Sequence, residues 1–248
     1  MDGDPGPLRS FDPIEVGRLE AAAWVAYYRR QWLWLLVASV ALVHRAFRMD
    51  WPRTLHGAWL VLRANQLWAP SPNDPDGARN CMRRFYALLR LAHGGPADPA
   101  RAARLEVAWW AAHRERQHRP RAGNQGGPGG PDGGGPADAA GPGGAAGPGG
   151  AGLPGGAGPT GGAGPTGGDG SAEPLVTALT QLYAYLYGAA EADVALAARE
   201  RAAAMDLSDE WVALGCPADS PLLPAGRAAL VRSYAALLAA VHRPPPAS

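Results

Sequence analysis

An all-α fold is predicted by three features: Asp-Pro pairs at helix-start positions, apolar residues recurring at steps of three and four, and no convincing run of period-two alternation. The expectation is an irregular helical bundle of about seven to eight helices, interrupted by a long disordered Gly/Pro-rich linker.

Asp supplies an N-cap acceptor, and a following Pro has no amide hydrogen to leave unsatisfied in the first turn. Asp12-Pro13, Asp74-Pro75 and Asp98-Pro99 read this way, as does Ser220-Pro221. Glu15, three residues after Asp12, suggests a capping box. Helices are therefore expected near 13–48, 52–68, 75–93, 99–118, 174–188, 190–206, 209–215 and 222–242.

The stretch YYRRQWLWLLVASVALVHRAF, Tyr27 to Phe47, raises the question of a membrane anchor. Its apolar run, Trp32 to Val43 with Ser39 as the one polar residue, covers roughly 18 Å as a helix against a hydrocarbon core of about 30 Å. A buried helix is the expectation, with Trp32, Leu36, Val40, Val43 and Phe47 as its apolar stripe. A Trp-rich stripe bracketed by Arg29, Arg30, Arg45 and Arg48 also suits an in-plane helix on a bilayer surface.

Between Arg119 and Ala172 the chain turns to Gly, Pro and Ala, which bury too little apolar surface to order the backbone. Glycine falls at every third position from Gly152 to Gly170, but that register is too short for a collagen triple helix. Three units follow: a basic helical segment 1–118, a disordered linker 119–172 and an acidic helical segment 173–248. Met1 to Arg121 holds 18 Arg against 11 Asp and Glu, and the rest 5 Arg against 11 acids. The second segment is therefore expected to dock on the first.

All 23 basic residues are Arg, which reads as the codon bias of a GC-rich genome. Without lysine there is no Schiff base, pyridoxal-phosphate site, Walker A loop or protein-kinase ATP lysine. No G-x-S-x-G occurs, and Cys81 and Cys216 form no C-x-x-C, so a serine or cysteine hydrolase is not expected. The acidic, Pro-containing start MDGDPGPLRSFDP lacks the basic and apolar regions of a secretory signal, giving a cytoplasmic expectation.

The most specific constellation is a pair of matched quartets: Glu20, Trp24, Tyr27 and Gln31 in the first expected helix, and Glu106, Trp110, His113 and Gln117 in the fourth. Steps of four, three and four put each quartet on one helical face. Two carboxylates and an imidazole on facing helices make Glu20, Glu106 and His113 candidate metal ligands. The Glu20-x6-Tyr27 spacing is similar to the ferritin family's first metal helix. Paired Glu-x-x-His elements are missing, since only Glu115-x-x-His118 occurs, and no metal or other cofactor is predicted outright. If the two helices are neighbours in register, the glutamates are expected to pair with arginines and His113 to bond Tyr27.

Asn65 and Gln66 lie between apolar residues, where carboxamides cross-link helices or orient a ligand beside Trp59 and Trp68. With Trp24, Tyr27 and Trp110 these are the candidate ligand-binding residues. Arg79, Arg83, Arg84 and Arg90 form a basic patch, which on an Arg-only chain of net charge +1 reads as a solvated or docking face rather than a nucleic-acid site. The favoured function is a non-enzymatic scaffold or binder of an apolar or aromatic ligand. The alternatives are a metal-dependent oxidoreductase on a helical bundle and a peripheral membrane or nucleic-acid binder using the basic half.

Overall fold

The computed structural model describes residues 7–118 and 173–243. The expected linker, 119–172, lies outside the described residues. A 3-10 turn at Pro7–Arg9 leads into α1 (Pro13–Tyr28), α2 (Trp32–Phe47), α3 (Trp51–Trp68), α4 (Pro75–His93) and α5 (Pro99–His118). The second segment supplies α6 (Pro174–Tyr187), α7 (Glu191–Ala213) and α8 (Leu222–Val241). Every regular element among the described residues is helical, so the all-α bundle is what forms.

The caps explain where these helices begin. Asp12 accepts from the amides of Ile14 and Glu15, Asp74 from Gly77 at 2.8 Å, Asp98 from Ala100 at 2.8 Å, and Ser220 from Leu222 at 3.2 Å. Each such cap stabilises its helix by about 1 kcal/mol. Asp50 caps α3 in the same way, taking the Arg53 amide at 2.9 Å. Glu15 leaves its capping-box role and pairs with Arg45 on α2, at 3.1 Å.

The helix expected over 13–48 is two helices. After Tyr28 the chain closes a Schellman turn: the Gln31 amide bonds the Ala26 carbonyl at 2.8 Å and the Arg30 amide bonds the Tyr27 carbonyl at 2.9 Å. Arg30 takes the left-handed conformation, φ 56°, at the position where such turns usually hold Gly. Without Gly or Pro, the break leaves no compositional trace. Conversely, the helices expected over 190–206 and 209–215 are one, α7. At the expected break Ser208 is buried mid-helix and Asp209 bonds residues of α5.

Each helix packs most closely on those before and after it, and α8 packs on α1, closing a ring. Long side chains from α1, α3, α5 and α7 meet inside it, as in the Trp68–Trp110 contact (5.5 Å between centroids) and the Tyr28–Trp211 contact (6.2 Å). Helix α2 sits between α1 and α3 and buries an arc through Leu35, Ser39, Leu42, Ala46 and Phe47. Of the expected stripe Val43 and Phe47 are buried, while Trp32, Leu36 and Val40 are only half-buried. No helix among the described residues is long and apolar enough to cross a membrane.

Candidate functional site

Two features are built into the interior: a buried charged centre and, beside it, an apolar cleft. Arg201, near the middle of α7, is the centre's cation. Its Nη2 lies 3.5 Å from Glu20 Oε1 of α1, and its Nη1 donates to the Tyr183 hydroxyl of α6. Its guanidinium also lies over the rings of Trp109, Tyr183 and Tyr234, 5.3–6.0 Å from their centroids. Glu106 of α5 accepts from the Tyr86 hydroxyl at 2.7 Å and from the indole N–H groups of Trp109 and Trp110 at 3.2 Å each.

Glu20, Glu106 and Arg201 are all buried. Burial raises the Glu20 carboxyl well above the usual range, and the Arg201 charge and Tyr234 hydroxyl offset this only in part, while Glu106 adds to it. Burial likewise raises Glu106 against the lowering effects of Tyr86, Arg201 and the two indoles. Burial alone would lower the Arg201 value, but the surrounding phenols and both glutamates outweigh it and keep the guanidinium charged. One cation facing two carboxyls is electrically balanced when one carboxyl is ionised and the other keeps its proton. Burial also pushes the Tyr187 phenol up to about 12.

The matched quartets thus do point inward, but from helices that are not neighbours: α1 packs on α2 and α8, α5 on α4 and α6. Glu20, Trp24, Tyr27, Glu106, Trp110 and His113 are buried; Gln31 is exposed and Gln117 half-buried. His113 bonds Asp209 of α7 at 3.2 Å rather than Tyr27, and Gln117 donates to the other oxygen of Asp209 at 2.6 Å. Glu20 and Glu106 meet around Arg201, and no three His, Cys, Asp or Glu among the described residues group so as to hold a metal ion. Arg201 and Asp209, which organise both layers, lay in a helix whose sequence carries no motif. Arg201 stands with Arg199 and Glu200 in an Ala-rich run, VALAARERAAAM, where nothing in the sequence marks it as the buried member of the three.

Trp59 and Trp68 do not share a pocket. Nine residues is two and a half turns, so they lie on opposite sides of α3: Trp59 is exposed, and Trp68 is buried against Trp110 beneath the Arg114 guanidinium. Asn65 donates to the Val61 carbonyl of its own helix at 2.8 Å, and Gln66 accepts from Arg63 at 2.5 Å. In the basic patch Arg79 pairs with Asp76, Arg83 donates to Asn80, and Arg83, Arg84 and Arg90 are exposed.

The cleft lies between α1, α7 and α8 and has a volume of about 310 Å³. Trp24, Leu207, Trp211, Leu222 and Leu230 form much of its wall, and the exposed Arg18 and Arg227 also line it. Neither arginine pairs with an acid among the described residues. Trp24 is buried, and its Nε1–H has no acceptor there. Glu20 stands one turn before Trp24 on the same face of α1, so that face carries both a wall of the cleft and a member of the charged centre. Comparison with protein-family models, curated proteins and solved structures finds no match to this chain.

Proposed function

We propose that this protein is a non-enzymatic binder of a small apolar ligand that carries an anionic group, held in the cleft between α1, α7 and α8. The observation that carries this reading is the combination of apolar walls with two arginines that have no acidic partner among the described residues. The volume falls within the range of about 300–1,000 Å³ common to small-molecule sites, which join mostly apolar walls to a few polar groups. Arg18 and Arg227 suit a carboxylate or sulfonate head, to which guanidinium groups donate paired hydrogen bonds. The unpartnered Trp24 indole supplies a further donor at the wall.

Non-enzymatic binding is preferred to catalysis because the charged groups of the centre are buried and face one another. Glu106 holds three donors, and Glu20 and Tyr183 hold Arg201. Because the walls come from both segments, ligand binding and segment association are coupled in this reading. Isothermal titration with decanoate, and with decanol as the uncharged control, tests it. Decanoate is expected to bind, decanol more weakly, and Arg18→Ala with Arg227→Ala to remove the difference between them. Failure of both probes to bind, or equal binding of both to the wild type, refutes the proposal.

A further inference from the structure

A second feature lies away from the cleft and does not depend on it. Helices α2 and α3 pack on each other, and each leaves large apolar side chains in solvent. On α2 these are Leu33, Trp34 and Val37, with Leu33 72% and Trp34 64% exposed; on α3 they are Trp51, Leu55 and Trp59, all more than half exposed. Trp51, Leu55 and Trp59 recur every four residues and so form one stripe along α3. Trp51 stacks on His44 at 4.4 Å, which ties the start of that stripe to the last turns of α2. Soluble surfaces expose single apolar residues commonly, but six large ones on two helices that pack together, three of them tryptophan, mark an interaction site.

The charge around this face selects its occupant. From Ala21 to Asn73 the chain has six arginines (Arg29, Arg30, Arg45, Arg48, Arg53 and Arg63) and a single acid, Asp50. Asp50 is spent on Arg53 and on the α3 cap, and Glu15 from α1 neutralises Arg45. Arg29 turns away to the Cys216 carbonyl and the Trp211 ring, so the positive charge left along these two helices is that of Arg30, Arg48 and Arg63, all exposed and without an acidic partner among the described residues. A second copy of the chain docking by the same face would set arginines of like sign against each other. An anionic lipid surface offers the opposite charge. Tryptophan rings also favour the headgroup level of a bilayer, and α2 and α3 can lie there in plane without crossing it.

We infer that the α2–α3 face, centred on Trp34 and Trp59 and accompanied by these arginines, docks this protein on anionic membrane surfaces. Each arginine near such a surface adds attraction that salt screens, while the tryptophans and leucines add the apolar contribution.

Co-sedimentation of the full chain with phosphatidylcholine vesicles, and with vesicles that also contain phosphatidylglycerol, tests this. Binding is expected on the anionic vesicles only, weakening as salt is raised. The double variant Trp34→Ser, Trp59→Ser changes only exposed positions. It is expected to keep the wild-type circular dichroism and melting temperature and to bind at least about tenfold more weakly. Arg48→Glu is expected to weaken binding on anionic vesicles without altering the fold. No binding by the wild type, or binding untouched by the tryptophan variant, overturns the inference. So does a wild-type dimer that the tryptophan variant converts to monomer without any vesicle binding, which assigns the face to a second copy.

Discussion

Arg201 of α7 and Glu20 of α1 lie 3.5 Å apart with 2% and 0% of their side chains exposed, so a charge pair joining the two segments of the chain sits wholly out of water. A buried pair gains little over an apolar substitute of the same shape, but losing one member leaves an uncompensated charge. Arg201→Met is therefore expected to destabilise the protein by about 3–5 kcal/mol at neutral pH. Adding Glu20→Gln should recover part of that loss, because the carboxyl left behind no longer ionises. A denaturant-unfolding cycle on the two single variants and the double variant measures this, and additive losses refute the coupling.

The two raised carboxyls give a pH dependence of definite sign. Glu20 and Glu106 hold their protons more tightly in the folded chain than the value of about 4.3 expected when unfolded. The stability they contribute is complete below that unfolded value and is lost as pH rises through their folded values. Glu106→Gln resembles the protonated acid, since its carbonyl can accept from the two indoles and its amide can face Tyr86. The variant should match the wild type in acid and become progressively more stable relative to it as pH rises. Chemical denaturation from about pH 4 to 8 checks this, and parallel curves would contradict it.

Much of the architecture was legible because local rules and the tertiary fold agree. Asp12, Asp74, Asp98 and Ser220 each bond an amide in the first turn of a helix. That each quartet shares one helical face followed from spacing alone, and six of the eight residues are buried. Partners were not legible, since they depend on which helices the ring brings together. Glu20 and Glu106 meet through Arg201, a residue far along the chain that no local pattern distinguishes. The break at Arg29–Gln31 was missed because Arg adopts a turn conformation that sequence reading assigns to Gly. The cleft was hidden for the same reason as the centre: Trp24 was a candidate, but its companions Leu207, Trp211 and Leu230 belong to distant helices.

Helix α2 offers a graded test of where its buried arc runs. Leu42 is fully buried, whereas Leu36 is half-buried at the edge of the arc. Leu42→Arg is expected to unfold the chain, since an unpaired cation in a packed core costs more than about 4 kcal/mol. Leu36→Arg is expected to leave it folded with a lowered melting temperature, because the long side chain can reach water. Thermal melts of the two variants distinguish them, and equal losses would mean the arc is drawn wrongly.

The seam between α1 and α8 is where the ring closes, and Gly17 sets its spacing. A Cβ on Gly17 would lie 2.9 Å from a Val231 methyl and 3.0 Å from the Val231 backbone nitrogen, so a larger residue must push the two helices apart. Overpacking of this kind costs typically about 1–3 kcal/mol. The other seam, α5 with α6 and α7, is bridged by Arg116, which pairs with Glu173 at 3.0 Å and Asp206 at 2.7 Å at the half-exposed edge of the ring. Segments 1–118 and 173–248, co-expressed without residues 119–172, are therefore expected to associate. Each alone should fold poorly, since 173–248 would carry Arg201 without Glu20. Gly17→Val should weaken the complex at every salt concentration, because it acts through steric contact. Arg116→Ala should weaken it by less than about 1 kcal/mol, and that loss should shrink further as salt rises. Size-exclusion chromatography and titration of the two segments give both results. Two well-folded segments that ignore each other would show that the closed ring is not needed for either to fold.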